Sequence, residues 1–233
     1  MPKTKSAQPK WRRRPESRPQ QIIEAALEVF GESGLANARL QDIADRAGVS
    51  KGTIYLYFPN KEELFREMIR QTAVAAIETG ERTITTGTPT EQLVAAMRAY
   101  WVYVRSPAFI TIHRLVVGEL HQFPDLAEFF AENVVTRGLK LLSGIIQRGI
   151  DVGEFRQIDS MCAARMLVAL NIMNGVWRDE RSGVPLLCHK KDEDVFQELA
   201  HFYLHSLTNS EGSFAQADGA PSDLVSFLPL NND

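Results

Sequence analysis

The 233-residue sequence predicts an all-α fold, with a small N-terminal three-helix unit followed by a larger helical bundle. Three observations lead there. Apolar residues recur at three- and four-residue intervals along most of the chain from residue 19 to 208, the spacing of one helix face. Turn formers punctuate this pattern at Thr85-Thr-Gly-Thr-Pro-Thr90, Ser106-Pro107, Phe123-Pro124, Asp151-Val-Gly153 and Ser182-Gly-Val-Pro185. No alternating apolar and polar run of useful length, the mark of a half-buried strand, interrupts it, and no internal repeat is evident.

Pro19 precedes a stripe of Ile22, Ile23, Ala26, Leu27, Val29 and Phe30, so residues 19–32 form a first helix ending at Gly34. Leu40, Ile43, Ala44 and Ala47 give residues 39–47 one narrow apolar face. Gly48 stops that helix, because glycine takes positive φ without strain, and Val49 tucks under the bend. Ser50 is suited to cap a helix over 51–57, in which Ile54 and Phe58 face the core. Pro59 ends it, and Asn60 with Glu63 forms a capping-box pattern for a fourth helix from Lys61 to about Thr79. This fourth helix joins the N-terminal unit to the bundle and is expected to be the only element able to transmit movement between them. Further helices are predicted near 90–105, 107–121, 124–149, 158–181 and 192–208.

Two short helices meeting at a glycine turn are how a protein presents one helix to a DNA groove. With Ile54 and Phe58 inward, Lys51, Gly52, Thr53, Tyr55 and Tyr57 point elsewhere, and their ammonium and hydroxyl donors suit phosphate oxygens or base edges. Gly52 lowers helix propensity by about 1 kcal/mol relative to alanine, which suggests close approach of another backbone. Lys61 sits in a first helical turn, where the dipole disfavours an ammonium but a nearby phosphate would welcome it. Any one of these residues fits equally well on a solvated helical hairpin; the joint pattern is what is specific.

The net charge of −3 conceals a polarised chain. Residues 1–70 hold 13 Lys and Arg against 9 Asp and Glu, whereas residues 71–233 hold 13 against 20. The basic end therefore adjoins the motif. Seven of those basic residues lie in the first 18, among Pro2, Pro9 and Pro15, a composition that does not fold by itself. Two readings of this segment stand side by side: an arm that follows the minor groove or the phosphates, and a solvated tail adding general attraction.

The stretches Ile22-Ile-Glu-Ala-Ala-Leu-Glu-Val-Phe-Gly-Glu-Ser-Gly34, Asp42-Ile-Ala-Asp-Arg-Ala-Gly-Val-Ser-Lys-Gly-Thr-Ile-Tyr55 and Tyr57-Phe-Pro-Asn-Lys-Glu-Glu-Leu64 resemble the DNA-binding domain of the TetR family of transcriptional regulators. The resemblance implies a helix-turn-helix DNA-binding domain over 16–76, with the motif at 39–58. It implies base or groove contacts from Lys51, Gly52 and Thr53, and phosphate contacts from Tyr55, Tyr57 and Lys61. Family members commonly place threonine or serine where this chain has Ala38 and Arg39. Arg39 offers a longer, permanently charged donor in its place. A basic arm (1–15) would precede this domain, a ligand-binding and dimerisation domain (77–208) would follow it, and a tail (209–233) would end the chain.

In the predicted bundle, Tyr100, Trp101, Tyr103, Phe109, Ile112, Met166, Leu170, Met173 and Trp177 are interspersed with His113, Asn171 and Asn174. Burial tendency alone makes these core fillers. The resemblance turns part of the set into a pocket for a small, largely apolar effector, with Trp101, Tyr103, His113, Met166, Asn174 and Trp177 as its candidate lining. The last two long helices carry broad apolar faces, including Met161, Leu167, Phe196, Phe202 and Leu207, that pack within the subunit or pair across a two-fold axis. The family uses such helices to dimerise, which would set two recognition helices about 34 Å apart on double-stranded DNA.

The sequence points away from other classes. No apolar run approaches the roughly 20 residues needed to span a bilayer, and the N-terminus has no signal-like segment, so a soluble cytoplasmic protein is expected. Cys162 and Cys188 make no disulfide framework. His201 and His205, four apart, have no supporting ligand for a metal, and no cofactor loop or nucleophile–base pair argues for an enzyme. The expected protein is a homodimeric, effector-responsive repressor without cofactor. A non-specific architectural DNA binder and an all-helical enzyme are the alternatives.

Overall fold

The computed structural model describes residues 18–178 and 189–208, and among them every regular element is helical. The basic arm, the turn at 182–185, Cys188 and the C-terminal tail lie outside the described residues.

Helix α1 (Arg18–Asn37) bends at Gly34, whose φ of 79° and ψ of 167° leave the helical region. Its inner face buries Ile22, Ile23, Ala26, Val29 and Phe30, and the Phe30 ring meets Phe65 edge-on at 6.1 Å. Helix α2 (Leu40–Ala47) is tied across α1 by Arg46, which reaches Glu28 at 2.8 Å and Glu32 at 2.7 Å. The Arg46 guanidinium holds the Glu32 carboxyl below its ordinary pKa. After the short α3 (Lys51–Tyr55), α4 (Lys61–Ile69) continues through a π-helical stretch, Arg70–Val74, into α5 (Ala75–Thr83).

The remaining helices are α6 (Pro89–Val104), α7 (Pro107–Gly118), α8 (Pro124–Phe130), α9 (Arg137–Asp151), α10 (Ser160–Val176) and α11 (Asp192–Thr208), with α8 entering α9 through a second π-helical stretch, Ala131–Thr136. Local chemistry starts several of them. Thr88 and Glu91 form a reciprocal capping box around Pro89, the first residue of α6, while Ser106 and Asp159 accept from the Phe109 and Cys162 amides. Leu93, Met97 and Trp101 of α6, Ile145 and Ile146 of α9, Leu167 of α10 and Phe196 of α11 form one core. Arg98 pins α11 to α6, stacking 3.6 Å over the Phe196 ring while pairing with Glu193.

The other core is not confined to the N-terminal unit. Ile112 and Leu115 of α7, with Leu120 and Leu126, pack into the same cluster as Ile22, Phe30, Ile43, Ile54 and Phe65. Helix α7 lies against α1, where Arg114 donates to the Gly31 carbonyl at 3.1 Å and Glu119 accepts from the Ala36 amide at 2.8 Å. The expectation that the fourth helix alone links the two regions is therefore corrected. Helix α7 is a second, non-covalent link, because its apolar face completes the N-terminal core.

Candidate functional site

Gly48 takes the left-handed conformation (φ 64°, ψ 35°) that closes α2, and the Val49 amide bonds the Ala44 carbonyl at 3.0 Å. Ser50 then caps α3: its hydroxyl oxygen accepts the Thr53 amide at 3.1 Å and lies 2.8 Å from the Thr53 hydroxyl. Such a cap matters in a helix this short, which has no independent stability.

Ile54 and Phe58 anchor the α3 segment, at 0% and 6% exposure. With about 100° between successive residues, Lys51 and Tyr55 fall on one flank and Thr53 and Tyr57 on the other. Gly52 and Leu56 lie farthest from the core. Lys51 Nζ sits 5.9 Å from the Tyr55 ring centre. Tyr55 and Tyr57 are both exposed, and Leu56 is 81% exposed. Arg39 occupies the extended residue before α2 and is exposed, making no cap bond. Lys61 stands beside it: its ammonium donates to the carbonyls of Ala36 at 2.6 Å and Ala38 at 3.4 Å. The seven residues expected to contact DNA thus lie on α3, just after it at Tyr57, and at the corner formed by Arg39 and Lys61. Lys61 also fastens α4 to the end of α1. Leu56, outside the set expected from the sequence, shares the exposed face of Gly52 four residues earlier.

In the bundle, the Tyr103 ring meets Phe109 edge-on at 5.3 Å, and Phe109 stacks on His113 at 5.6 Å. Burial pushes the His113 pKa below its usual value, which favours the neutral imidazole, and raises that of the Tyr103 hydroxyl. The Thr72 side chain, in the π-helical stretch leading from the DNA-binding unit, offsets part of that rise at Tyr103, while its own hydroxyl donates to the Met68 carbonyl at 2.7 Å. On α10, Asn171 is buried, its amide nitrogen donating to the Leu167 carbonyl at 2.9 Å and its Oδ1 without a partner. The other candidate lining residues are more scattered. Trp101 is sealed in the second core, and Asn174 and Trp177 stand half-buried near the end of α10. Met166 is 54% exposed on the outer face of α10, away from this interior group. Met161, Met173 and Phe202 are exposed on α10 and α11 as well.

A glycine-turned pair of short helices with an exposed second helix, packed through α7 onto a helical bundle, is the architecture of a helix-turn-helix regulator. Residues 22–68 match the family model of bacterial regulatory proteins, tetR family, and residues 91–205 match that of the AefR-like transcriptional repressor, C-terminal domain. The chain belongs to the TetR family, and is a DNA-binding transcription regulator with a ligand-binding C-terminal domain. It is 32% identical over 152 residues to the fatty acid metabolism regulator protein of Bacillus subtilis, covering 64% of this chain and 76% of that one. The HTH-type transcriptional repressor KstR2 of Mycolicibacterium smegmatis is 27% identical over 202 residues, 85% of this chain and 94% of its own. Among solved structures, FadR from Bacillus subtilis in complex with stearoyl-CoA superposes with a TM-score of 0.66 at 24% identity, covering 81% of this chain and 98% of that one. No helix among the described residues is long and apolar enough to cross a membrane.

Proposed function

We propose that this regulator is a cytoplasmic homodimeric repressor that leaves a palindromic operator when a small, largely apolar molecule enters the bundle beside Tyr103, Phe109 and His113. One observation carries the reading: α7 holds Phe109 and His113 on its bundle side, and Thr111, Arg114 and Leu115 against the DNA-binding unit, with Glu119 just past its end. A Cβ on Gly31 of α1 would come within 3.2 Å of the Thr111 hydroxyl oxygen, so the two helices approach closely there. A molecule that displaces Phe109 or His113 must shift that helix, and with it the seat of α1 and α2. Ligand and DNA are then coupled by the ligand's differential affinity for the two arrangements.

On DNA, Lys51, Gly52 and Thr53 face the base edges, while Arg39, Tyr55, Tyr57 and Lys61 hold phosphates. The exposed apolar side chains of α10 and α11, Met166, Met173 and Phe202, meet a second copy of the chain, since one α3 alone reads too few base pairs to be selective. Long acyl chains are the first effector class to try, because the B. subtilis relative is a fatty acid metabolism regulator and the FadR structure holds stearoyl-CoA.

The experiment is selection of a preferred site from a random DNA pool, followed by titration of the complex with acyl thioesters of increasing chain length. A two-fold symmetric site, released by compounds that bind the free protein, is the expected result. Equal DNA affinity with and without every compound that binds the protein would remove the switch from the reading. A specificity ratio near one against bulk DNA would remove the operator as well.

A further inference from the structure

We infer that Leu56 is a specificity-determining residue that packs against a thymine 5-methyl group in the major groove, and that Gly52 sets how deeply it reaches. The inference rests on the reading above, in which α3 enters the groove.

Two independent observations support it. Leu56 is 81% exposed although it is a large apolar residue within a well-packed domain, and it points opposite the Ile54 and Phe58 anchors. Gly52, one turn earlier on the same face, has no internal reason to be glycine. Its φ is not positive, and a Cβ built there would meet only the Ser50 hydroxyl, at 3.8 Å. The chain thus gives up helix propensity at Gly52 for a reason outside the protein, which close approach to a partner supplies.

The polar donors flank this strip. Lys51 and Tyr55 lie on one side and Thr53 and Tyr57 on the other, Lys51 and Thr53 in reach of neighbouring base edges and the tyrosines in reach of the phosphates. The centre of the face can neither donate nor accept a side-chain hydrogen bond, so it cannot read the groove through the donor and acceptor pattern of the bases. The apolar feature that distinguishes base pairs in the major groove is the thymine methyl, and a leucine side chain at the deepest point of insertion is its match.

The test uses the full chain and the site it selects from a random pool. Each thymine of that site is replaced in turn by deoxyuridine, which removes only the methyl group. For the wild type, one position in each half-site is expected to lose about 4-fold in affinity, the worth of one buried methyl, and about 15-fold when both half-sites are changed. Leu56→Ala is expected to bind the thymine and deoxyuridine sites equally at that position, while circular dichroism and binding to bulk DNA stay as in the wild type. Gly52→Ala separates contact from folding, because it is expected to raise the thermal midpoint while weakening the selected site at least 10-fold. A wild type indifferent to every methyl, or Leu56→Ala with an unchanged thymine preference, overturns the inference and leaves the regulator reading standing. A pool that yields no preferred sequence overturns both.

Discussion

The Glu119 carboxylate, just past the end of α7, accepts the backbone N–H of Ala36 at 2.8 Å across 83 positions of the chain. The same stretch is held from the other side by Lys61, whose ammonium takes the Ala36 carbonyl at 2.6 Å. Glu119 occupies the space left by Gly34: a Cβ on Gly34 would fall 2.2 Å from its Oε1, at a φ of 79° that only glycine adopts easily. The bundle thus grips the DNA-binding unit at Ala36, four residues before α2 begins at Leu40. Glu119→Ala removes this grip and is expected to cost roughly 0.5–1.5 kcal/mol, the net worth of one hydrogen bond. It should leave DNA affinity near the wild-type value but reduce the change in affinity that effector causes. Urea melts and paired DNA titrations with and without effector read the two effects. Full effector response in Glu119→Ala would place the coupling elsewhere, with the packing of Arg66 and Arg70 on the Phe129 ring as the next candidate.

Lys61 has two partners to serve. Its expected phosphate contact must share the ammonium with the Ala36 and Ala38 carbonyls. Lys61→Ala should therefore lower the thermal midpoint and also reduce the slope of log affinity against log salt by about one. A lower midpoint with an unchanged salt slope would make the lysine purely structural.

Ser50→Ala should lose about 1 kcal/mol of stability through the missing cap on the Thr53 amide. DNA affinity should drop more than stability does, since the five residues of α3 have only that cap and the Ile54 and Phe58 anchors to order them. Calorimetry compared with DNA titration checks the order of the two effects. Equal losses would mean that α3 unfolds only with the whole domain.

What the sequence made legible was local chemistry. Gly48, Ser50 and Asn60 each place a helix boundary by their own backbone or side-chain preferences, and the structure has the Asn60 oxygen accepting the Glu63 amide at 2.7 Å. Interactions between distant segments were not legible. Glu119 and Ala36 carry no mutual signal, so α7 could not be recognised as a second link. The π-helical stretch at Arg70–Val74 and the run of α5 to Thr83 depend on packing against α9 and the stretch at Ala131–Thr136, which periodicity does not encode. Helix α10 is apolar on most of its circumference, and so its composition did not reveal that Met166 faces outward while Leu167 and Asn171 face in.

That outward face gives the next expectation. Met166→Glu combined with Phe202→Glu changes two side chains that are 54% and 63% exposed in the single subunit, so the fold should survive. Two carboxylates desolvated without partners at a two-fold interface would oppose association by several kcal/mol. Sedimentation should find the wild type dimeric and the double variant monomeric, with specific DNA binding lost. A double variant that remained a dimer would assign these side chains to solvent.

His113 gives the last expectation, in which the sign is decided by burial. Its pKa in the folded protein lies below the ordinary value of 6.5, so over that range the unfolded chain binds more protons than the folded one. Its share of stability is therefore present above about pH 6.5 and is lost as the pH falls below it. One proton sets an upper limit of about 1.4 kcal/mol per pH unit, and solvent reaching the half-buried ring keeps the effect smaller. His113→Phe keeps a ring against Phe109 but cannot titrate. Urea melts at pH 7.5 and 5.5 should show the wild type losing more stability on acidification than His113→Phe. Because the neutral imidazole also borders the proposed effector site, effector affinity should weaken over the same interval in the wild type and stay flat in the variant. Equal acid sensitivity of the two proteins would show that His113 exchanges protons as freely as in the unfolded chain.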